Sequence, residues 1–315
     1  MKLRRAPRAL ILMAATALFA GSVAACSPEP ASSGSPAPGG TSNADAYQAL
    51  IVSGPVADDA TVQGNKWASA VKKAGVLRIG GTETSELFSL LHPTTGQVKG
   101  FDAAIGQMLS RYILGDVTTE LNQVTVDTRE SLLQNGNVDT VIATYSITPE
   151  RQKSVDFAGP YYVSQAGILV KADNDTIHGV ADLAGRTVVT QASSTGVTTV
   201  KKYAPDAKLQ PLPDNAQCVA SVQQGDADAY VIDQALLLNQ VVTDNTVKIV
   251  GEPFGPKDSY GIGVPKGSDA KAFVNEFLNK LVADGTWAKA WQLTIGDRTN
   301  LTTPPEAPAV GKTES

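Results

Sequence analysis

An arginine near the start of a predicted helix is the residue of this sequence best placed to bind an anion. The run 138–143 is apolar and β-branched, which predicts a buried strand, and the stretch after it reads T-Y-S-I-T-P-E-R from Thr144. Thr148 can cap a helix and Pro149 suits its first position, so Arg151 falls at the positive end of the helix dipole. A bound carboxylate would stabilise a cation there, because backbone N–H groups and a guanidinium can grip it together. A solvent-facing arginine is the alternative.

A second segment also has groups that can bind an anion. The letters A-S-S-T-G follow a strand predicted at 186–191, and Ser194 and Thr195 begin a predicted helix. Small hydroxyl residues and glycine at a helix start expose backbone N–H groups to an anion. Simple N-capping by one of the two serines is the alternative.

The stretch around Arg151 resembles the signature of a known family. I-T-P-E-R…V-D-F-A-G-P-Y-Y, from Ile147 to Tyr162, is similar to the motif of the polar amino-acid-binding proteins, the solute-binding subunits of bacterial ABC importers (family 3). The similarity runs in order over about 75–296. It implies that Arg151 holds the α-carboxylate of an amino acid. The implied carboxylate site also includes groups at Thr144, Ser146, Ser194 and Thr195.

Asp233 stands at the end of a strand predicted at 225–232, just before a helix. The resemblance implies that its carboxylate holds the ammonium group of the ligand. Aspartate is also a good N-cap, and the two roles do not exclude each other.

Gly80–Phe88 follows a strand predicted at 76–79. Ligands bind at the carboxyl ends of strands in open α/β sheets, so this segment predicts pocket residues. The candidates are Thr82, Glu83, Ser85 and Phe88, and Phe88 could instead face the core.

Arg129 is the candidate for binding the side chain of the ligand. It lies in the first turn of a helix predicted at 127–137, within R-x-x-L-L-Q-N-G-x-V-D, which resembles the acidic-amino-acid members of the family. An ion pair with Glu130 or Glu83 is the alternative. Glutamate binders of the family can carry an arginine at the position of Thr82, and glutamine binders a lysine at that of Gln191. This chain has neither of these cations, so Arg129 is the remaining one. We therefore expect glutamate or aspartate first and glutamine or asparagine second.

The resemblance implies an α/β, two-lobed periplasmic-binding-protein fold of type II, each lobe a mixed sheet flanked by helices and joined by two hinge strands. The clearest predicted helix is 100–112, where Phe101, Ile105, Met108 and Tyr112 form one apolar face. We expect hinges near 161–166 and 250–254. The expected lobes are 61–164 with 251–300, and 165–250, followed by a flexible tail at 301–315.

The N-terminus has the features of a lipoprotein leader. Four basic residues precede an apolar run at 9–20, and V-A-A-C ending at Cys26 resembles a lipobox. We expect cleavage after residue 25, lipid on Cys26 and a Pro/Ser/Gly-rich tether, so that 26–60 anchors the protein to the outer face of the cell membrane. An ordinary secretory signal with a chance cysteine is the alternative.

The composition of the chain argues against some classes of function. The chain of 315 residues is 42% hydrophobic and 18% charged, with a formal net charge of −5. This acidity and the lack of a long basic run argue against nucleic-acid binding. Cys218 lies in an amphipathic helical pattern and is expected to be buried. The two histidines, His92 and His178, are far apart, so we expect no metal and no cofactor.

We therefore expect a monomeric binding protein, not an enzyme, that works with the membrane permease of an ABC importer. A sensor that reports amino acids to a membrane signalling protein is one alternative, because the sequence does not separate the two. A dehydratase of the same fold is another, with Glu83 as its general acid.

Overall fold

The computed structural model describes residues 43–299 and 301–313 of the chain. Short 3-10 turns lie at Arg151–Lys153 and Val180–Leu183, and a π-turn at Gln292–Gly296. The helices are α1 Asn43–Ser53, α2 Asp59–Gln63, α3 Lys66–Ala74, α4 Phe101–Leu114, α5 Arg129–Gln134, α6 Thr195–Tyr203, α7 Asn215–Gln224, α8 Gln234–Val241, α9 Ala270–Ala283, α10 Thr286–Trp291 and α11 Asp297–Thr299. The strands are β1 Leu77–Gly81, β2 Thr84–Ser85, β3 Ser89–Leu91, β4 Val98–Lys99, β5 Thr119–Gln123, β6 Thr140–Val141, β7 Asp156–Lys171, β8 Thr187–Gln191, β9 Lys208–Leu212, β10 Ala229–Asp233 and β11 Val247–Val264.

Two long strands join the two lobes of the protein. The strand order of the main sheet is β5-β1-β6-β11-β7-β10-β8-β9, and β7 and β11 pair antiparallel along its middle. On one side β1 is parallel to β5 and β6; on the other, β8 is parallel to β9 and β10. A small sheet, β2-β3-β4, belongs to the first lobe. The expected two-lobed α/β fold is confirmed.

The pairing of β7 with β11 is irregular where the chain passes between the lobes. Val250 pairs with Ile168, Phe254 with Ala166 and Asp258 with Ser164, so β11 twice uses four residues against two of β7. Extra residues on one strand form bulges, which bend a strand and increase its twist. The bulges overlap the segments in which we expect the hinges.

Each lobe has its own apolar core. Phe101, Ile105, Met108 and Tyr112 are fully buried in the first lobe, as the spacing on α4 predicts. In the second lobe, alternate residues of the strands face two clusters on opposite sides of the sheet. Cys218 is buried in one of them, so the prediction of an apolar role is confirmed.

The prediction of a flexible tether over 26–60 is wrong for the part of that segment that the structure describes. Cys26 and the residues up to 42 lie outside the described part, but 43–60 is folded where the prediction had a flexible segment. Tyr47, Leu50 and Ile51 of α1 are buried in the core of the first lobe. Their spacing of three and four residues forms one apolar helix face, a pattern that the prediction overlooked.

The prediction of a flexible tail from 301 is also wrong for the described residues. Pro308 is buried, and Ala307 and Val310 pack against the core of the first lobe. The backbone N–H of Gly311 donates to the carbonyl of Gly159 in β7 at 2.8 Å. The tail is therefore held against the first lobe. No helix within the described ranges is long and apolar enough to cross a membrane.

The burial of α1 can be tested with two adjacent residues. Ile51 is 0% exposed, whereas Val52 is 54% exposed. Ile51→Ala should lower the free energy of unfolding by about 2–5 kcal/mol, because it leaves a cavity in the core. Val52→Ala is the matched control and should change it by less than about 0.5 kcal/mol. Urea unfolding measures both, and equal midpoints for the two variants would show that α1 does not pack as described.

Candidate functional site

A cleft lies between the lobes, at the carboxyl ends of the strands. It encloses about 970 Å³, a volume that includes the open mouth. Nine of the predicted site residues line it, and they come from both lobes. They are Thr82, Ser85, Arg129, Thr144, Ser146, Arg151, Ser194, Thr195 and Asp233.

Phe88 and Glu83 do not belong to the lining. Phe88 is 1% exposed and packs edge-to-face against Tyr162 at 5.4 Å, so it is a core residue and its prediction as a ligand contact is wrong. The half-buried Glu83 is also absent from the lining, although its carbonyl accepts a hydrogen bond from Leu91 at 2.9 Å. Phe88 lies in the turn between β2 and β3, where the chain folds back on itself after Ser85.

Arg151 spans the two lobes. Its guanidinium donates to the carbonyl of Ser146 at 3.0 Å and, across the cleft, to the carbonyl of Ser193 at 3.1 Å. Thr148 accepts the backbone N–H of Arg151 at 3.2 Å, so the predicted cap forms, although the turn is a 3-10 helix. The side chain is buried, and no carboxylate of the described chain is within ion-pair distance. Its hydrogen bonds therefore go only to neutral acceptors, and it interacts with Asp233 through space.

Arg129 is a second buried cation beside the first. Its guanidinium donates to the carbonyl of Ala143 at 3.1 Å, and its Nε is buried without a hydrogen-bond partner. The guanidinium carbons of Arg129 and Arg151 lie 3.9 Å and 5.4 Å from the ring centroid of Tyr145. Burial, followed by repulsion from Arg151, lowers the pKa of Arg129 to about 9. The alternative ion pair with a glutamate does not form, and Arg129 stays charged at neutral pH.

Asp233 supplies negative charge on the opposite side. It is 6% exposed and accepts a hydrogen bond from the Tyr260 hydroxyl at 2.9 Å. It does not cap α8, because the first-turn N–H of Ala235 donates to Ser164 instead. Burial, and then the nearby charge of Asp258, raise the pKa of Asp233 well above its usual range. One face of this carboxylate is therefore open to a ligand.

The N-terminus of α6 is also left open. Ser194 occupies the N-cap position, but its hydroxyl donates to the carbonyl of Gln191 at 2.6 Å rather than accepting a first-turn N–H. The capping alternative is therefore not used. The residue before it, Ser193, has a φ of 59°, the left-handed region that favours glycine. The carbonyl of this strained residue is the one that Arg151 contacts.

A buried aspartate supports the strained loop on the first lobe. Thr144 has a φ of 43°, which is unfavourable for a β-branched residue. Asp102 accepts the N–H of Thr144 at 2.8 Å and the hydroxyl of Tyr161 at 2.8 Å. The sequence carries one signal for this role that was overlooked: an aspartate in the first turn of α4 between apolar residues.

The lobes also touch at the rim of the cleft. Asn239 of α8 accepts the N–H of Leu87 at 2.7 Å and the hydroxyl of Ser85 at 3.1 Å. Asn239, like Asp102, was missed from the sequence, because a partner so far along the chain becomes visible only in the fold. With the Arg151 contact, this bridge holds the two lobes together.

A family model identifies the class of protein that carries this cleft. The model of the bacterial extracellular solute-binding proteins, family 3, matches residues 77–293. The chain belongs to this family. The match starts at β1, so the helices α1 to α3 of this solute-binding protein lie before it.

Individual relatives agree with the family. The solute-binding protein is 38% identical over 208 residues to a glutamine-binding protein of Geobacillus stearothermophilus, covering 65% of this chain and 79% of that one. It is 32% identical over 213 residues to the glutamate-binding protein GluB of Corynebacterium efficiens, covering 64% and 72%. Among solved structures, the solute receptor for L-cysteine of Neisseria gonorrhoeae matches with a TM-score of 0.71 at 26% identity, over 78% of this chain and 99% of that one.

The role of Asp102 has a measurable pH signature. Burial raises the pKa of Asp102 to about 6, against about 3.9 in an unfolded chain. The folded protein therefore holds this proton more tightly, and the free energy of unfolding falls by up to about 1.4 kcal/mol per unit as pH rises from about 4 to 6. Asn does not titrate, so Asp102→Asn should lack this component.

Urea unfolding of wild type and Asp102→Asn at several pH values gives the difference between their free energies of unfolding. As pH rises from about 4 to 6, the free energy of unfolding of wild type should fall relative to that of Asp102→Asn. A constant difference would contradict the titration of Asp102.

Proposed function

We propose that this solute-binding protein captures an acidic amino acid, glutamate or aspartate, between its lobes and delivers it to the membrane permease of an ABC importer. The observation that carries the proposal is the separation of charge in the cleft. Arg129 and Arg151 lie on one side without a carboxylate partner, and the carboxylate of Asp233 lies on the other.

This separation matches the main-chain groups of an amino acid. Moving a zwitterion out of water is costly unless each charge meets a partner. Arg151, the open N-terminus of α6 and Ser146 would receive the α-carboxylate, and Asp233 would receive the ammonium. Thr144 and Thr195 complete the polar lining between these two ends.

Arg129 favours an acidic side chain. A buried cation with an unpartnered Nε is stabilised by an anion, and a ligand carboxylate supplies one. The lining also contains the uncharged polar residues Thr82, Gln123 and Gln191, and one further acid, Asp214, which accepts the backbone N–H of Gln217 as the cap of α7. A glutamine or asparagine ligand would leave Arg129 without a counter-charge, so these are the second choice, although the relatives include both a glutamine-binding and a glutamate-binding protein.

A transport role fits the family better than catalysis. The dehydratase alternative relied on Glu83, and that side chain does not line the cleft. In the described residues no group of three or more His, Cys, Asp or Glu could hold a metal ion. We further propose that the protein acts as an extracytoplasmic monomer, anchored through lipid on Cys26, which lies outside the described residues.

The ligand is tested by thermal unfolding of residues 27–315 with each of the twenty amino acids. A ligand at 100 times its dissociation constant adds about 2.7 kcal/mol of stability, which raises Tm by several degrees for a chain of this size. We expect a rise with glutamate or aspartate. A rise with glutamine or asparagine alone would reject the acidic ligand, and no rise with any of the twenty would reject amino-acid capture.

The role of Arg129 is tested by Arg129→Gln. Loss of a charge-assisted hydrogen bond costs roughly 1.5–3 kcal/mol, so the affinity for glutamate should fall about ten- to a hundredfold, whereas that for glutamine should change little. Arg186→Gln is the matched control, since Arg186 pairs with Asp228 in the second lobe and does not line the cleft. Calorimetric titration measures both ligands, and an equal loss for glutamate and glutamine would rule out a contact with the side-chain carboxylate.

A further inference from the structure

One side chain of the second lobe reaches the first lobe beside the proposed binding site. Asn239 of α8 is 8% exposed, and its Oδ1 accepts the backbone N–H of Leu87 at 2.7 Å and the hydroxyl of Ser85 at 3.1 Å. A backbone N–H can only donate, so this contact fixes which end of the amide faces the first lobe. Ser85 and Asn239 also line the cleft. The bridge between the lobes is therefore part of the wall of the cleft.

The first lobe holds the segment that receives Asn239, residues 84–88, in place by contacts of its own. Leu87 is fully buried, and its carbonyl accepts the backbone N–H of Phe101 at the start of α4 at 2.8 Å. Glu86 pairs with Arg298 of α11 at 2.9 Å. The family match ends at residue 293, so this last contact comes from a part of the chain beyond it. The two donors for Asn239 are therefore positioned by the first lobe itself.

The second lobe fixes Asn239 in a similar way. The helix α8 begins directly after Asp233, and the N–H of Ala235 in its first turn donates to the hydroxyl oxygen of Ser164 on β7 at 3.2 Å. Leu237 of the same helix is fully buried in the core of the second lobe. Asn239 and Asp233 therefore belong to one structural unit, which moves with the second lobe.

On the basis of the proposed function, we propose that Asn239 and the 84–88 segment form a latch that closes over the captured amino acid. When the lobes part, Leu87 and Ser85 exchange Asn239 for water, and when the lobes close the two hydrogen bonds form again. A hydrogen bond between protein groups contributes a modest net free energy. Two of them shift the equilibrium towards the closed arrangement by roughly fivefold to a hundredfold.

A latch of this kind acts equally on every ligand, because both of its halves belong to the protein. A ligand that is retained only in the closed form binds with an affinity proportional to the stability of that form. Arg129 therefore selects between amino acids, whereas Asn239 strengthens the retention of any amino acid in the cleft. Because the latch forms after the ligand has entered, its loss acts mainly on the dissociation rate.

Calorimetric titration of L-glutamate and of L-glutamine with wild type and Asn239→Ala tests the latch. Asn239→Ala removes the acceptor of both hydrogen bonds, so it should weaken the binding of both amino acids by the same factor, roughly fivefold to a hundredfold. Gln240→Ala is the matched control and should bind as wild type. Gln240 is the next residue of α8, does not line the cleft, and donates to Asp244 within the second lobe at 3.0 Å.

A second variant separates the latch from a direct contact between Asn239 and the ligand. Ser85→Ala removes one of the two donors, so it should weaken the binding of both amino acids by a smaller factor than Asn239→Ala. If Ser85 acts through Asn239, the double variant should bind no more weakly than Asn239→Ala alone.

Three results would overturn the latch and leave the proposed function intact. They are an unchanged affinity of Asn239→Ala, a loss confined to one of the two amino acids, and additive losses in the double variant. A wild-type protein that binds none of the twenty amino acids would overturn the proposed function, and the latch with it.

Discussion

The arrangement of the cleft depends on the buried guanidinium of Arg151. This group bonds to the carbonyls of Ser146 and Ser193, one from each lobe, and meets no carboxylate among the described residues. A buried charge is costly without a counter-charge, so the site is complete only with an anion. The loops around it hold unfavourable backbone angles at Thr144 and Ser193, and strain of this kind persists where surrounding contacts enforce it.

The two strands that cross between the lobes contain both bulges and residues that contact the site. The pairing of β7 with β11 has bulges in the segments where we expect the hinges, and the two strands also carry groups of the site: Tyr161 supports Asp102, and Tyr260 contacts Asp233. A ligand that pairs with groups of both lobes stabilises the closed arrangement more than the open one. Hinge closure around a ligand is a common response in two-lobed binding proteins. Asn239 of the second lobe adds hydrogen bonds to Ser85 and Leu87 of the first lobe.

Local patterns in the sequence were sufficient to predict part of the site. The cap at Thr148 and the strand before it placed Arg151 correctly at a helix start, and the strand end placed Asp233. The sequence did not reveal Asp102 or Asn239, because each contacts a residue at least 42 positions away. Phe88 and α1 were mistaken for different reasons. Phe88 lies in a tight hairpin that packs into the core, and α1 directly follows a Pro/Ser/Gly-rich stretch, although Tyr47, Leu50 and Ile51 form an apolar face.

The most direct measurement compares L-glutamate with its α-carboxamide by calorimetric titration of the wild-type protein. The two ligands differ only in the group assigned to Arg151. If that guanidinium binds the α-carboxylate, the amide should bind about ten- to a hundredfold more weakly, because a buried charge loses a charge-assisted contact. Binding of the α-carboxamide within a few-fold of glutamate would contradict the assignment of Arg151, and with it the charge-matched cleft.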